Sequence, residues 1–189
     1  MKTKEAVIKK VKWYKDKRIL VYLMGFFIIL IMIASVLNIG EKEEKQKYNN
    51  YVFTKTERGW LTYVNNQAIM FNYLPQELED ITIPSLNLNS KKVYILIDPE
   101  EITIQDYNIQ RLIYTLRYLN INTFLACSKE TNCPDIPIID CSNPNFVFYF
   151  KLSNETKTYK ENNCLILEGN NDGQLMLVER LNYALFGII

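Results

Sequence analysis

The longest apolar stretch of the chain covers residues 19–37 and contains no charged side chain. At about 1.5 Å of rise per residue, a helix of this length is about 28 Å long, close to the hydrocarbon thickness of a bilayer. A surface helix of a soluble domain would show a polar face, and this stretch has none. The pattern therefore predicts a transmembrane helix over residues 19–40.

The pattern changes after this helix. Residues 41–50 (EKEEKQKYNN) are polar and charged without apolar periodicity, which indicates a short stalk. Alternating apolar and polar residues then predict half-buried strands, which cover 51–55, 59–64 and 67–73. Asn65 and Asn66 tolerate the positive φ angles of a tight hairpin, and PQELEDI (75–81) is typical of one or two helical turns.

A different arrangement is predicted from residue 92 onward. KVYILID (92–98) has a continuous apolar centre, as expected of a strand that is covered on both faces. Residues 101–120 carry apolar side chains at helical spacing, and the short apolar segment 121–126 follows. Strand, helix and strand in this order form a βαβ unit, so the two strands are expected to be parallel.

The remaining elements complete the predicted domain. Three further strands are expected over 136–140, 146–152 and 164–168, and a C-terminal helix over 173–186. Asp172 is positioned to cap this helix and Gly187 to end it. The fold class is α/β or α+β: a transmembrane helix followed by one mixed-sheet domain (51–189) with a βαβ unit and a C-terminal helix.

Charge predicts how the chain is oriented in the membrane. Residues 1–18 contain eight basic and two acidic side chains, whereas 41–47 contain three of each. Because positive flanks stay in the cytoplasm, residues 1–18 are expected to form a basic cytoplasmic arm, with the C-terminal domain outside. A cleaved signal peptide is the alternative, but the apolar run is long and no small-x-small pair follows it.

Composition excludes several kinds of catalytic and binding site. The chain has no histidine, which excludes Ser-His-Asp and Cys-His nucleophile pairs and His-based zinc sites. Its six glycines form no phosphate-binding loop. Residues 41–189 carry 14 basic and 19 acidic side chains without a basic stripe, so binding of nucleic acid is not expected. We predict no catalytic residue, no cofactor and no metal.

Four cysteines, Cys127, Cys133, Cys141 and Cys164, lie in the predicted outer domain. An even number of cysteines in an oxidising compartment favours two disulfides, and three pairings are possible. The favoured pairing is Cys127–Cys133 with Cys141–Cys164. A Cys₄ zinc site and a redox-active pair are the alternatives, but the spacings contain neither two close pairs nor C-x-x-C.

One acidic cluster follows the first strand of the βαβ unit. Asp98, Glu100 and Glu101 lie where α/β folds place ligand sites, at the carboxyl end of a parallel strand. They could serve as acid and base or hold a hard cation, and Asp140 could join them. The same residues are also typical of an ordinary turn into a helix, and this interpretation is favoured.

Asn154 begins the one N-x-[ST] sequon of the chain, in a polar stretch between predicted strands. On an outer domain, this asparagine is a possible glycosylation site. Chance occurrence in an asparagine-rich chain is the alternative.

Five short segments resemble a loose family of uncharacterised single-pass membrane proteins from archaea with small genomes. These segments are FNYLPQEL (71–78), KVYILIDPE (92–100), CPDIPIIDC (133–141), NCLILEG (163–169) and RLNYALFGII (180–189). The resemblance implies an anchored outer domain with paired cysteines, and it implies no activity.

The sequence as a whole predicts a membrane-anchored extracytoplasmic domain of the cell envelope that binds or scaffolds, without catalysis of its own. A protein partner or a homo-oligomer would fit this role. One alternative is a surface hydrolase or cation-dependent site that uses Asp98, Glu100 and Glu101. Another is an accessory subunit of a larger membrane complex.

Overall fold

The computed structural model describes residues 17–37, 44–86, 88 and 92–189. The chain divides into two units, residues 1–43 and residues 44–189. In the first unit, helix α1 (Lys17–Leu37) contains the whole predicted apolar run. Among the described residues, α1 is the one helix that is long and apolar enough to cross a membrane. Most of the predicted basic arm lies outside the described residues.

The second unit begins with an antiparallel sheet, here called the meander sheet. Its strands follow one another in chain order: β1 (Lys45–Tyr48), β2 (Tyr51–Thr56), β3 (Gly59–Val64) and β4 (Gln67–Phe71). Lys45–Tyr48 lies in the segment where the sequence predicts a stalk, and it pairs with β2 instead. A 3₁₀ turn follows at Pro75–Leu78, where one or two helical turns are predicted.

The rest of the chain forms a five-stranded sheet, here called the mixed sheet, and two helices. In chain order the elements are β5 (Lys92–Ile97), α2 (Tyr107–Tyr118), β6 (Asn122–Cys127), β7 (Phe146–Leu152), β8 (Lys157–Glu161), β9 (Cys164–Gly169) and α3 (Asn171–Leu185). The spatial order of the strands is β6-β5-β7-β9-β8. Pairing is parallel except between β8 and β9, so the predicted βαβ unit and the mixed α/β fold class are confirmed.

Helices α2 and α3 lie between the two sheets. Leu112 and Leu116 of α2 and Leu177 and Leu181 of α3 pack with one face of the mixed sheet, which we call the helical face. On their other side the helices contact the meander sheet, where Tyr183 stacks on Phe71 with ring centroids 4.1 Å apart. Burial of one large apolar side chain contributes roughly 1.5–3 kcal/mol, so these two cores hold the three layers together.

The opposite face of the mixed sheet has a different cover. The connection from β6 to β7, residues 128–145, contains no helix, and we call it the crossover loop. Ile139 and Cys141 of this loop pack on Leu96, Val147 and neighbouring apolar residues of the sheet. This second face is therefore called the loop face.

Besides shifts of one or two residues at several strand ends, two helix starts and one predicted strand differ from the sequence-based expectation. Helix α2 begins later than expected because Asp106 caps it, accepting hydrogen bonds from the backbone amides of Asn108 (2.8 Å) and Ile109 (3.4 Å). Helix α3 is capped by Asn170, whose side chain accepts from the Gly173 amide at 2.8 Å, and not by Asp172. The predicted strand at 136–140 is reduced to one bridge between Cys127 and Ile138, because Pro137 has no amide hydrogen to donate.

Candidate functional site at the carboxyl edge of the mixed sheet

The acidic cluster lies at the carboxyl end of β5, the strand where the chain order reverses. Strand β6 lies on one side of β5 and β7 lies on the other. In open α/β sheets, ligands bind in the crevice outside the strand ends at such a switch point. The position of Asp98, Glu100 and Glu101 therefore matches the expected place of a ligand site, and their contacts decide what the site can do.

Two of the three carboxylates share one lysine that sequence reasoning missed. Lys129 Nζ lies 2.7 Å from Asp98 Oδ2 and 3.3 Å from Glu100 Oε2. The backbone amide of Glu100 also donates to Asp98 Oδ1, at 3.1 Å. Asp98 is 5% exposed, and its hydrogen bond to Lys129 holds its pKa below the usual value. The same pair raises the pKa of Lys129.

The third carboxylate turns toward another strand. Glu101 Oε2 accepts a hydrogen bond from the backbone amide of Leu152, at the carboxyl end of β7, over 3.3 Å. This contact bridges the crevice between β5 and β7. Asp98 and Glu100 thus share a cation of the protein, while Glu101 links two strand ends, so the three residues do not converge on one point.

Further charges continue along this edge of the sheet. The strand register puts Lys151 beside Glu168, and Lys157 opposite Glu168. Lys157 Nζ lies 3.7 Å from Glu168 Oε1, and the Tyr159 hydroxyl donates to Glu168 Oε2 at 3.1 Å. Burial favours the protonated form of Glu168, but these hydrogen bonds and lysines outweigh it and lower its pKa. The edge therefore carries charges of alternating sign that largely satisfy one another.

Beside β5, a cavity of about 250 Å³ opens next to the acidic turn. Its lining is mainly apolar and includes Pro99, Ile102, Ile104 and Pro134. None of the acidic residues of the turn lines this cavity, and its polar lining residues, Thr103, Gln105 and Asn132, are uncharged. Among the described residues, no group of three acidic, cysteine or histidine side chains could hold a metal ion.

Both disulfides of the structure belong to the loop face. Cys127 and Cys133 are bonded with their Cα atoms 6.1 Å apart, and Cys141 and Cys164 with theirs 5.2 Å apart. This is the pairing that the sequence favours. The first bridge closes the start of the crossover loop on β6, and the second fixes the end of the loop to β9.

The contacts of Asp140 and Asn154 are separate from those of the acidic cluster. Asp140 accepts from the Ser142 hydroxyl at 2.5 Å and from the Ser142 amide at 2.9 Å, which lowers its pKa. It therefore shapes the turn before Cys141. Asn154 is exposed in the connection between β7 and β8, beside Ser153, whose hydroxyl accepts from the Glu155 amide.

A second polar cluster lies between α3 and the meander sheet. Glu179 is fully buried, and Arg111 of α2 lies 2.7 Å from its Oε1. The backbone amides of Asn72 and Tyr73, just after β4, donate to the two carboxylate oxygens at 2.8 and 2.9 Å. Burial raises the pKa of Glu179, and Arg111 and these amides oppose that shift. The cluster joins α2 and α3 to the segment that follows β4.

The comparisons with known proteins add no function to this geometry. A scan against protein-family models, a search of curated proteins and a search of solved structures each found no match. The likeness suggested by the short apolar motifs thus stays an expectation.

Proposed function

We propose that the chain is a membrane-anchored domain, held outside the cytoplasm at the cell membrane, that binds or scaffolds a partner in the cell envelope without catalysing a reaction. The observation that carries the proposal is the covalent fixing of the crossover loop by two disulfides. Disulfides form and persist in oxidising compartments, which lie outside the cytoplasm. Helix α1 supplies the anchor, and the basic residues that precede it favour a cytoplasmic N-terminus.

The contacts of the acidic turn favour a structural role over catalysis. A general acid and base need reach to a common substrate atom, and a hard cation needs several oxygens directed at one point. Here Lys129 pairs with both Asp98 and Glu100, and Glu101 holds the Leu152 amide. These contacts are those of a turn that fixes strand ends. A partner would instead meet the surfaces that the sheets leave open.

Reporter fusions on the full chain test the location. A reporter enzyme that is active only after disulfide formation, fused after Ile189, should be active, and the same reporter on the N-terminus should be inactive. A matched variant replaces the lysines of the basic arm with glutamine and should lose this asymmetry. An active N-terminal fusion together with an inactive C-terminal one in the natural chain would contradict the proposal.

The acidic turn is tested separately with the triple variant Asp98→Ala, Glu100→Ala, Glu101→Ala. If these residues form a turn, calorimetry with Ca²⁺ or Mg²⁺ gives no saturable binding for the natural chain or for the variant. Saturable binding by the natural chain that the variant loses would instead support the cation-dependent alternative.

A further inference from the structure

Strand β8 forms an open edge of the mixed sheet. It pairs with β9 on one side, and no described strand lies on its other side. Glu161 and Cys164 flank the two-residue turn between these strands and form a pair. In a two-residue hairpin this closing pair is hydrogen-bonded, and alternate residues then face the same way. The backbone groups of Thr158 and Lys160 therefore point outward.

The side chains of β8 are complementary to those of a second, antiparallel β8. The strand reads Lys157-Thr158-Tyr159-Lys160-Glu161. If Tyr159 lies on a twofold axis, Lys157 is opposite Glu161 of the second copy and Thr158 is opposite Lys160. Because the outward backbone groups belong to Thr158 and Lys160, this register also makes the hydrogen-bonded pairs that an antiparallel ladder requires.

The oppositely charged residues fall at the closer positions of that ladder. Lys157 and Glu161 would form non-hydrogen-bonded pairs, where the Cα atoms approach to about 4.5 Å and side chains interact most directly. Glu161 is exposed and has no side-chain partner in the described part of its own chain. Lys157 is 48% exposed, and its ammonium group has three donors, so it can retain Glu155 and Glu168 and donate to a further carboxylate.

The other edge strands lack this complementarity. Strand β4 is partly capped at its carboxyl end, because Arg111 donates to the Met70 carbonyl at 2.5 Å and Glu179 accepts from the amide of Asn72, just after the strand. Strand β6 is partly covered by the bridge to Ile138. Strand β1 carries Lys45 and Lys47 without an acidic residue. Lysines on edge strands usually discourage pairing, and only in β8 does a glutamate stand at the symmetric position.

We propose that two copies of this chain associate through antiparallel pairing of β8 with β8, which makes one ten-stranded sheet with the order β6-β5-β7-β9-β8-β8-β9-β7-β5-β6. The contact is isologous, because the same strand serves both copies, and it closes as a dimer. The inference rests on the proposed scaffolding function and names its partner: a second copy of the chain.

A charge reversal tests the dimer. Glu161→Lys puts lysine opposite Lys157 of the second copy at both ends of the ladder. Because two attractive cross-strand pairs become repulsive, the dissociation constant should rise roughly tenfold or more. The matched control is Glu57→Lys, which makes the same change in the exposed β2–β3 turn and should leave the dissociation constant unchanged. Sedimentation of the full chain in mild detergent measures both variants.

A mixing experiment separates electrostatic pairing from misfolding. Lys157→Glu puts glutamates at both charged positions, so it should pair poorly with itself but well with Glu161→Lys. Random mixing of an equimolar pair already gives twice as much heterodimer as either homodimer, so native mass spectrometry should show the heterodimer well above that ratio. A monomeric natural chain, equal dissociation constants for Glu161→Lys and Glu57→Lys, or a heterodimer at only the random ratio would each overturn the proposal.

These outcomes are independent of the location of the domain. A monomer whose C-terminal reporter is active would overturn the dimer alone. A dimer whose C-terminal domain lies in the cytoplasm would overturn the proposed location and leave the β8 contact standing.

Discussion

The two faces of the mixed sheet are covered by different physical means. On the helical face, α2 and α3 bury a continuous apolar core, in which Ile95, Leu112 and Phe148 are fully inaccessible. On the loop face, a crossover loop without a helix covers a smaller apolar cluster, and two disulfides fix its ends. Helices that pack on a sheet can hold it by apolar burial alone. The crossover loop buries fewer apolar residues, and two disulfides hold it in place.

The helical face and the loop face should also respond differently to a reducing environment. The apolar core of the helical face depends on burial, which a change of redox state does not affect. The loop face depends on disulfides, which a reducing environment removes. Reduction should therefore loosen the crossover loop while the helices remain packed.

The largest expected effect is on the helical face. Leu112→Ala removes a fully buried side chain from α2 and leaves a cavity, so the free energy of unfolding should fall by about 2–5 kcal/mol. Chemical denaturation of the natural chain and the variant measures this difference. The control is Phe124→Ala, which truncates a side chain that is 45% exposed and should cost clearly less. Equal losses would contradict the view that burial holds this face.

The next effect is on the loop face. Replacing Cys141 and Cys164 with alanine opens a bridge between residues 23 positions apart and should cost about 2–4 kcal/mol. Replacing Cys127 and Cys133, which are 6 positions apart, should cost roughly 1 kcal/mol less, because a shorter loop loses less entropy on closure. Denaturation of the two variants gives the order, and the reverse order would contradict the entropic explanation.

Hydrogen exchange can locate the change in those variants. In the Cys141→Ala, Cys164→Ala variant, amides of the crossover loop such as Ile139 should lose protection, while those of α2 and α3 should keep it. The reason is that the loop has few backbone hydrogen bonds of its own to retain its conformation. A uniform loss of protection would show that the two faces unfold together.

The smallest expected effect concerns the ion pair that joins the start of the crossover loop to β5. The pKa of Asp98 is lowered, so its stabilising contribution is present above about pH 4 and is lost as the pH falls through the folded-state pKa. The pKa of Lys129 is raised, so its contribution is lost only as the pH rises above about 10.5. Because Lys129 is half exposed, solvent screens the pair and the effect should be smaller than that of either disulfide.

Acid titration of stability tests this pair. Asp98→Asn should show a weaker loss of stability between neutral pH and pH 3 than the natural chain shows. Asp80→Asn removes an exposed carboxylate without a partner among the described residues, so its acid profile should follow that of the natural chain. If both variants flatten the profile equally, Asp98 has no special role.

Much of the local structure could be predicted, because short sequence patterns such as Asn-Asn turns are enough to specify it. Asn65 and Asn66 adopt positive φ angles of 48° and 65° and turn β3 into β4. The same dipeptide occurs at Asn49-Asn50 and Asn162-Asn163, where it turns β1 into β2 and β8 into β9. Both of those hairpins were missed, because β1 and β8 are too charged to show an apolar pattern. Applied at every Asn-Asn pair, the turn signal would have found both hairpins, but it would also have predicted one at Asn170-Asn171, where helix α3 begins.

The contacts of the acidic turn show why the rest of the site could not be predicted. Lys129 lies about thirty positions from Asp98 along the chain, and only the parallel register of β5 with β6, which aligns Ile97 with Cys127, brings the two together. Glu101 reaches Leu152 because β7 lies on the other side of β5. Sequence periodicity reports which face of an element is buried, and it does not report which strands are neighbours.

The sequence by itself determined the apolar helix α1, the strands and helices with clear periodicity and the βαβ unit. These features follow from local preferences: the length of an apolar run, the spacing of buried side chains and the conformations that asparagine and proline allow. Only the tertiary structure decided the strand order, the choice among the possible cysteine pairings, the burial of Glu179 between α3 and the meander sheet, the face that the crossover loop covers and the open edge at β8. Each of these depends on contacts between distant segments, which form according to the free energy of the whole fold and leave no local pattern in the chain.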